Sequence, residues 1–515
     1  MITHNQQRHP NHVVEQAAPS AGVSATLTAA QLDPLSSLAL QQALPGLLAA
    51  FDEPPMRVAL QSALFEPNQS GITITQCELD QATYLPDPSC IIRYLLTIQD
   101  NQGGAQRQVL VSGRLFADQP ACETYIHDYL QPLVAQLAGR EEIAMFTQPV
   151  GRIAALHMAL HAFPLDADLP ALMGATDRRG VTALLGTALQ DELGPNFAVT
   201  DCRVDLVDYG RQQRATLRYH VTGQAGNAAA AQQVLVYGKL TGDGSGALAG
   251  AISAALREQV RERSSAYRFN VPRVLAWRPE LSLSLLEAIP GEGLIAAALK
   301  ALLRGKPFTG AALSLEQMIN AGATIAATLH TSGIQLGRPR SLNDQLDSLR
   351  RELVQIEPIS PALGAQLVGW LDQIAAAATR SDRLPACFNH GDFTYGQLLF
   401  DGENSGLIDF DSICQAEPAL DLAQFLTYLR VASLKSKLTP AVTRALIDQL
   451  GERFLHTYID MAGQPASDLE HLVRRVSLYK ALSLVRRTLR SWQKFKPSRI
   501  ESALALLTEA VAELS

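Results

Sequence analysis

The 515-residue sequence lacks the features that mark membrane, secreted and nucleic-acid-binding proteins. It contains no run of about 18 uninterrupted apolar residues, so a membrane-spanning helix is not predicted. Acidic residues outnumber basic ones by 50 to 43, and without a basic surplus nucleic acid is not an expected partner. Residues 1–20 have neither a basic segment nor an apolar one, so no secretory signal is predicted. We therefore expect a cytoplasmic protein.

Cysteine is also scarce, because the chain has six and no two of them have CxxC spacing. This scatter argues against a structural zinc site and suits reduced thiols. Charged residues amount to only 18% and hydrophobic residues to 47%, which excludes global disorder and is enough for a large core. The length predicts two to four structural units. A polar, Gln-, His-, Asn- and Ser-rich start predicts a flexible leader over residues 1–44.

The sequence contains an internal repeat. Residues 77–115 and 202–240, which are 125 positions apart, share 14 identities over 39 ungapped positions. In both copies, two runs of alternating apolar and polar residues flank a Gly-, Gln- and Asn-rich stretch, as in antiparallel strands. We predict related β-rich lobes over residues 45–170 and 171–290. Residues 291–515 contain long Ala- and Leu-rich stretches with helical periodicity, which predict a helical lobe.

The segment from His390 to Asp411 contains the densest group of reactive side chains. Asp392 precedes Gln397 by five positions, and Asp409 follows Gln397 by twelve. The apolar runs QLLF and GLIDF flank a Gly/Asn turn, which predicts a hairpin that holds Gln397 and Asp409 together with Asp392 facing them. Carboxylate and amide oxygens are hard donors, so this group suits Mg²⁺ with its water and phosphate ligands.

This block resembles the motif HGDxxxxN followed by IDF and an acidic residue, which is typical of the aminoglycoside phosphotransferase and choline kinase-like family. Gln397 stands where that family usually has Asn, and it keeps an amide oxygen one methylene further out. The resemblance covers about residues 171–515. It implies an α+β, two-lobed protein kinase-like fold with an antiparallel-sheet N-lobe and a mainly helical C-lobe. The lobe at 45–170 is then an extra, degenerate copy of the N-lobe.

The resemblance also implies roles for individual residues. Lys239, in the strand VLVYGKL, would bind the nucleotide phosphates, and Glu258 or Glu262 on the next helix would pair with it, with Glu258 favoured by its spacing. Backbone groups at Glu287, Ala288 and Ile289 would bind adenine.

The implied reaction moves the γ-phosphoryl group of ATP to a hydroxyl group of a small molecule. Asp392 would orient and deprotonate the acceptor, and Gln397 and Asp409 would hold Mg²⁺. The acceptor stays open among sugars, amino sugars, amino alcohols and antibiotics, and so does the oligomeric state. The alternative is a nucleotide-binding pseudokinase or scaffold that uses the duplicated lobe as an interaction module.

Two further features leave alternatives open. In the first copy Arg114 replaces Lys239, and no HGD block follows. Arg152 precedes Pro164 by 12 positions, whereas Arg273 precedes Pro290 by 17, and this shorter spacing predicts loss of the adenine-binding strand. That copy is therefore predicted to be non-catalytic, the alternative being a second, regulatory nucleotide site. The basic face of residues 471–495 is either a solvated surface or a contact for an anionic substrate or a membrane.

Overall fold

Both halves of the repeat fold into five-stranded antiparallel sheets. The computed structural model describes residues 27–514, except for 66–70, 101–103, 105, 138, 141–142, 211–213, 227–229, 243 and 264–267. The first sheet consists of β1 (Ile72–Leu85), β2 (Ser89–Asp100), β3 (Gln106–Leu115), β4 (Val150–Ile153) and β5 (Met158–Ala162). The second consists of β6 (Phe197–Tyr209), β7 (Arg214–Ala225), β8 (Gln232–Thr241), β9 (Val274–Arg278) and β10 (Leu283–Glu287). Their strand orders, β1-β2-β3-β5-β4 and β6-β7-β8-β10-β9, are the same.

The two sheets share side-chain contacts as well as strand order. The hydroxyl of Tyr94 donates a hydrogen bond to the carbonyl oxygen of Ala50 at 2.7 Å. The hydroxyl of Tyr219, 125 positions later, donates to the carbonyl oxygen of Ala175 at 2.9 Å. Equivalent residues therefore make the same buried contact in both sheets, and the predicted extra copy of the N-lobe is confirmed.

The prediction that the first copy has lost its adenine-side strand is wrong. Strand β5 pairs with β3 as β10 pairs with β8, and the bounds of β5 and β10 differ by 125 residues at both ends. The spacing argument treated Arg152 and Arg273 as equivalent positions. Arg152 lies within β4, whereas Arg273 precedes β9, so that alignment is displaced by four residues. The displacement hid the strand because the repeat shares little sequence in this region.

Short and long helices surround the two sheets: α1 (Ala29–Leu32), α2 (Leu38–Ala43), α3 (Leu47–Ala50), α4 (Glu53–Leu64), α5 (Gln119–Tyr125), α6 (Gln131–Val134), α7 (Ala171–Thr176), α8 (Arg178–Leu193) and α9 (Ala249–Glu262). Helix α4 packs on β1, and α8 packs on β6. The leader predicted for residues 1–44 is not borne out from residue 27 onward, because Leu40 and Leu44 are fully buried there. Residues 1–26 lie outside the described residues.

The helical lobe consists of α10 (Leu294–Leu302), α11 (Leu315–His330), α12 (Leu342–Ile356), α13 (Pro361–Ala378), α14 (Ala419–Ser433), α15 (Pro440–Ala462), α16 (Leu469–Gln493) and α17 (Pro497–Ala512). Helix α11 packs against α15, and α14 packs against α16. The rings of Phe425 and Phe454 stack at 4.2 Å in the centre of this lobe. No helix in the described part of the chain has the length and apolar composition that a membrane span requires.

Two small sheets lie within the helical lobe. One contains β11 (Arg338–Pro339), β12 (Cys387–Asn389) and β15 (Cys414–Ala416). The other is the hairpin of β13 (Leu398–Asp401) and β14 (Asn404–Leu407), in which Leu398 pairs with Leu407. The hairpin predicted from QLLF and GLIDF is thus confirmed, and it carries the predicted metal ligands on its flanks.

The hydrophobic core has two parts. The first sheet shares one continuous core with the helical lobe, whereas the second sheet and α8 enclose a separate cluster. Aromatic contacts join the first sheet's side of the molecule to the C-terminal helices: Tyr84 meets Trp492 at 5.6 Å, and Phe51 meets Phe495 at 5.1 Å. The extra copy is therefore part of the folded body and packs on the helical lobe.

Candidate active site

A cleft of about 1060 Å³ lies between the second sheet and the helical lobe. Strands β8 and β10 and the start of α9 form one wall, and the β13–β14 hairpin with the segment after it forms the other. Lys239, Gln397 and Asp409 all line this cleft. Lys239 and Asp409 are 170 positions apart in the sequence, so only the packing of the two lobes brings them together.

The loop that carries Asp392 is held by helix α14. The carboxylate of Asp421 accepts hydrogen bonds from the backbone N–H groups of His390 at 2.7 Å and Gly391 at 2.8 Å. Asp421 is fully buried, so water does not compete for these charge-assisted bonds. Asp421 therefore fixes the backbone of the HGD loop from α14.

Gln424, which the sequence analysis did not identify, completes this support. Its Nε2 donates to the carbonyl oxygen of Gly391 at 2.9 Å, and its Oε1 accepts from the N–H of Phe393 at 2.8 Å. Gln424 follows Asp421 by three positions on α14, so both side chains lie on one face of the helix. That i, i+3 spacing in PALDLAQF is the signal in the sequence.

The glycine of the HGD motif is required by the backbone. Gly391 has a φ of 78°, in the left-handed region that favours glycine. A Cβ atom at this position would lie 1.9 Å from the carbonyl oxygen of Ser412. The loop can therefore approach the segment after Asp409 this closely only if residue 391 has no side chain.

Lys239 bridges two carboxylates across the cleft. Its Nζ donates to Asp409 and, at 3.0 Å, to Oδ1 of Asp411. Burial acts to lower the pKa of Lys239, but the charges of Asp411 and Asp409 outweigh it and the pKa is raised. Burial acts to raise the pKa of Asp409, but the charge of Lys239 outweighs it and that pKa is lowered. The lysine and Asp409 therefore keep opposite charges at neutral pH.

The predicted pairing of Lys239 with Glu258 or Glu262 is wrong. Both glutamates are exposed, and Glu258 instead pairs with Arg261 at 2.7 Å. The apolar face of α9 packs inward, and the helical repeat turns both glutamates toward solvent. Asp411, the last residue of the IDFD motif, takes the place of the helix glutamate as the second partner of Lys239.

Gln397 and Asp409 are neighbours at the mouth of the hairpin. Nε2 of Gln397 lies 3.3 Å from Oδ2 of Asp409, and a half-turn of the amide would present its oxygen instead. Asp409 has a φ of 73°, a conformation that costs energy outside glycine and is common at functional sites. One carboxylate and one amide oxygen suit Mg²⁺, which keeps several water and phosphate ligands. Within the described residues, no three His, Cys, Asp or Glu side chains are grouped to hold a metal, so the nucleotide would have to complete the site.

Asp392 is half-buried at the end of the loop. Burial raises its pKa; the charge of His390 opposes this effect, and the charge of Asp409 adds to it. The ring of His390 is fixed by a 3.0 Å hydrogen bond between Nε2 and the carbonyl oxygen of Ile408. A carboxylate with a raised pKa is a better proton acceptor, which suits a general base.

The predicted adenine-binding residues lie at the end of β10. Glu287 and Ile289 line the cleft, and Ala288 joins them. The carboxylate of Glu287 is engaged by Arg257 at 3.3 Å and lies 3.9 Å from Arg273. An adenine contact at this edge would therefore rely on backbone groups rather than on the Glu287 side chain.

In the first copy, the position equivalent to this cleft is filled. Arg114 donates to Asp87 at 2.5 Å and to the hydroxyl of Ser89 at 3.2 Å, and it lies 3.5 Å from Asp168. The cavity beside these groups measures about 50 Å³. This volume is of the order of one or two water molecules, far below the size of a nucleotide.

Residues 251–466 match the model of the phosphotransferase enzyme family, and the resemblance predicted from the motifs is confirmed. No curated protein matches the sequence. Among solved structures, a GDP complex of aminoglycoside 2'-phosphotransferase-IIIa is similar over 64% of this chain and 99% of its own, with 15% identity and a TM-score of 0.40. Choline kinase from Cryptosporidium parvum Iowa II is similar over 61% of this chain and 90% of its own, with 14% identity and a TM-score of 0.42. A glucosamine kinase is similar over 61% and 94%, with 19% identity and a TM-score of 0.40.

Proposed function

We propose that the protein is an ATP-dependent phosphotransferase that moves the γ-phosphoryl group to a hydroxyl group of a small molecule. The observation that carries this proposal is the convergence of Lys239, Asp409 and Gln397 on one cleft, with Asp392 on the adjoining loop. The chain retains the three charged residues Lys239, Asp392 and Asp409 together, which disfavours a pseudokinase or scaffold. We also propose that residues 45–170 are a non-catalytic copy, 171–290 the working N-lobe and 291–515 the C-lobe of a cytoplasmic enzyme.

In the proposed reaction, the acceptor oxygen bonds to the γ-phosphorus as the bond from that phosphorus to the β,γ-bridging oxygen breaks. The hydroxyl proton passes to the carboxylate of Asp392, and ADP leaves. Lys239 would exchange its contacts with Asp409 and Asp411 for contacts with nucleotide phosphates. Asp409 and Gln397 would hold Mg²⁺, which when bound neutralises charge that develops on the phosphoryl oxygens. Most of the rate enhancement would come from positioning and electrostatics.

The proposal is tested with a panel of hydroxylated metabolites and Mg-ATP, read out by ADP release and by a product mass increase of about 80 daltons. Asp392→Asn is expected to bind ATP normally and to lower turnover by roughly 10²- to 10⁴-fold, the range for a lost general base. Asp401→Asn, on the exposed end of β13, is the matched control and should keep full turnover. Equal turnover in the two variants would remove Asp392 from the catalytic role.

A further inference from the structure

Four arginines lie around the loop of Asp392 and the neighbouring Tyr428. Arg486, Arg487 and Arg490 project from α16, and Arg340 follows β11. Nη1 of Arg340 is 3.4 Å from the carbonyl oxygen of Gly391, which ties it to the loop of Asp392. These residues come from two separate parts of the chain, so the cluster is a product of the tertiary fold.

The cluster is not neutralised. None of the four arginines forms an ion pair with any residue that the structure describes, whereas Arg475 on the same helix is fully buried against Glu417. Among the described residues, Arg486 donates to the neutral amide oxygen of Gln345, at 3.3 Å. Burial and the charges of Arg340 and Arg490 lower the pKa of Arg486 to about 10.

The charges of Glu352 and Asp392 act against this lowering of the Arg486 pKa, and Asp392 is the proposed catalytic base. A half-buried guanidinium without a carboxylate partner is costly, and arginines that crowd one another add repulsion. A merely solvated basic face would not half-bury Arg486 or place Arg486 and Arg490 where their charges act on Asp392. A bound anion would relieve both costs, because planar guanidinium groups match oxyanion geometry.

Aromatic groups border the same region. Burial raises the pKa of Tyr428; the charge of Asp392 adds to this effect, and the charges of Arg487 and Arg490 oppose it. The guanidinium of Arg487 lies 5.9 Å from the centre of the Tyr428 ring. The site therefore offers an apolar ring surface beside a set of cationic donors.

We infer that the acceptor is a hydroxylated small molecule that carries an oxyanion group, such as a carboxylate or a phosphate, and that Arg340, Arg486 and Arg490 bind this group. The inference rests on the proposed phosphotransferase function. It excludes polycationic aminoglycosides and choline as acceptors, because four unpaired guanidinium groups would repel them.

The acceptor experiment compares matched pairs in the ADP assay: glycerate against glycerol, gluconate against glucose, and glucose 6-phosphate against glucose, with choline and kanamycin as cations. A kcat/KM for anionic members at least tenfold above that of their neutral partners is expected. A preference for neutral or cationic members would overturn the inference and leave the phosphotransferase proposal intact. If no compound in this panel causes ADP release, the result counts against the proposed phosphotransferase function instead.

The charge inference is also tested without turnover. Protein saturated with Mg²⁺ and a non-hydrolysable ATP analogue is titrated calorimetrically with sulfate. Arg486→Gln and Arg490→Gln should each weaken sulfate binding by about tenfold or more. Arg490 is exposed, so its replacement should leave the fold intact. Arg474→Gln is the control, since it lies on the same helix and pairs with Glu470. Wild type without saturable sulfate binding, or equal affinity in all variants, would overturn the inference.

A separate set of contacts concerns the hairpin of β6 and β7. Val207, Asp208 and Arg214 on this hairpin line the nucleotide cleft, at the position where kinases place the loop that covers the phosphates. Tyr209, in the same hairpin, lines the small cavity of the first copy. The hairpin therefore connects the cleft with the extra lobe.

Tyr209 contacts three residues of the first copy. Its hydroxyl donates to Asp166, and its carbonyl oxygen accepts from Arg93. The Arg93 guanidinium also lies 4.6 Å from the centre of the Tyr209 ring, and Phe163 meets that ring at 6.1 Å. Burial raises the pKa of the Tyr209 hydroxyl, so it stays protonated and remains a donor.

We infer from these contacts that the extra lobe positions the phosphate-side hairpin of the working lobe through Tyr209, a positioning residue. This too rests on the proposed nucleotide site. Tyr209→Phe removes one part-buried hydrogen bond, and Tyr94→Phe is the control because it removes a buried one that does not touch the hairpin. Both variants should lose stability.

Hydrogen–deuterium exchange and calorimetry separate the two variants. Tyr209→Phe alone should speed amide exchange over residues 205–210 and 214–216 and raise the Kd of the non-hydrolysable ATP analogue by about three- to tenfold. Exchange unchanged from wild type would overturn the anchoring role. Faster exchange with an unchanged Kd would overturn the link to nucleotide binding. If the wild-type protein does not bind the analogue, the proposed function is contradicted. The anchoring role of Tyr209 is then tested by the amide exchange rates of the two variants alone.

Discussion

Replacing Lys239 by methionine should destabilise the protein in a way that Mg²⁺ reverses. The ammonium bridges Asp409 and Asp411, and its side chain is 17% exposed against 37% and 27% for theirs. Breaking a fully buried pair costs about 3–5 kcal/mol and an exposed pair about 0–1 kcal/mol, so this intermediate case should cost about 2 kcal/mol. For a cooperative unit of about 150–250 residues, a loss of about 2 kcal/mol lowers the apparent melting temperature by about 4–8 °C.

The same variant leaves two carboxylates facing each other, and Mg²⁺ is expected to bind between them and Gln397. A ligand at 100 times its Kd stabilises the folded state by about 2.7 kcal/mol, which is enough to offset the loss. Thermal melts with and without Mg²⁺ are therefore the assay. Lys480→Met is the matched control, because it removes an ion pair with Glu513 far from the cleft, and Mg²⁺ should not restore it. A melting temperature equal to that of wild type, or a deficit that Mg²⁺ leaves unchanged, would refute the reasoning.

Three further variants test single assignments. Gln397→Asn should keep substantial activity because it retains a hard carbonyl oxygen, whereas Gln397→Leu should raise the Mg²⁺ concentration needed for ADP release; equal Mg²⁺ titrations would remove Gln397 from the metal site. Glu258→Gln should change the Kd of the ATP analogue by less than about twofold, because this carboxylate faces solvent, and a large increase would reinstate it as the partner of Lys239. Arg114→Ala should lower the free energy of unfolding, because it removes the ion pairs of Asp87 and Asp168 with Arg114. Calorimetry with the ATP analogue should give one site per chain in wild type and variant, and two sites in wild type with one in the variant would contradict a non-catalytic first copy.

The family resemblance implied the two-lobed fold class, and the sequence itself predicted the repeat, the helical lobe and the hairpin that Gln397 and Asp409 flank. These features follow from local rules: alternating apolar residues predict strands, and a Gly/Asn turn between two apolar runs predicts a hairpin. Asp392, Gln397 and Asp409 were grouped by their spacing within one segment of the chain, whereas Lys239 was assigned from the family resemblance. The same local information could not align β4 with β9, because short strands carry too few residues to mark a register.

Only the tertiary structure decided the partners of these residues. Glu258 had suitable spacing, but the rotation of α9 turned it to solvent and left Asp411 to pair with Lys239. Tyr84 and Tyr209 occupy equivalent positions in the repeat, yet Tyr84 packs on Trp492 and Tyr209 enters the extra lobe. A side chain's chemistry and its position within a strand are local properties, whereas its partner depends on which surfaces the whole chain brings into contact.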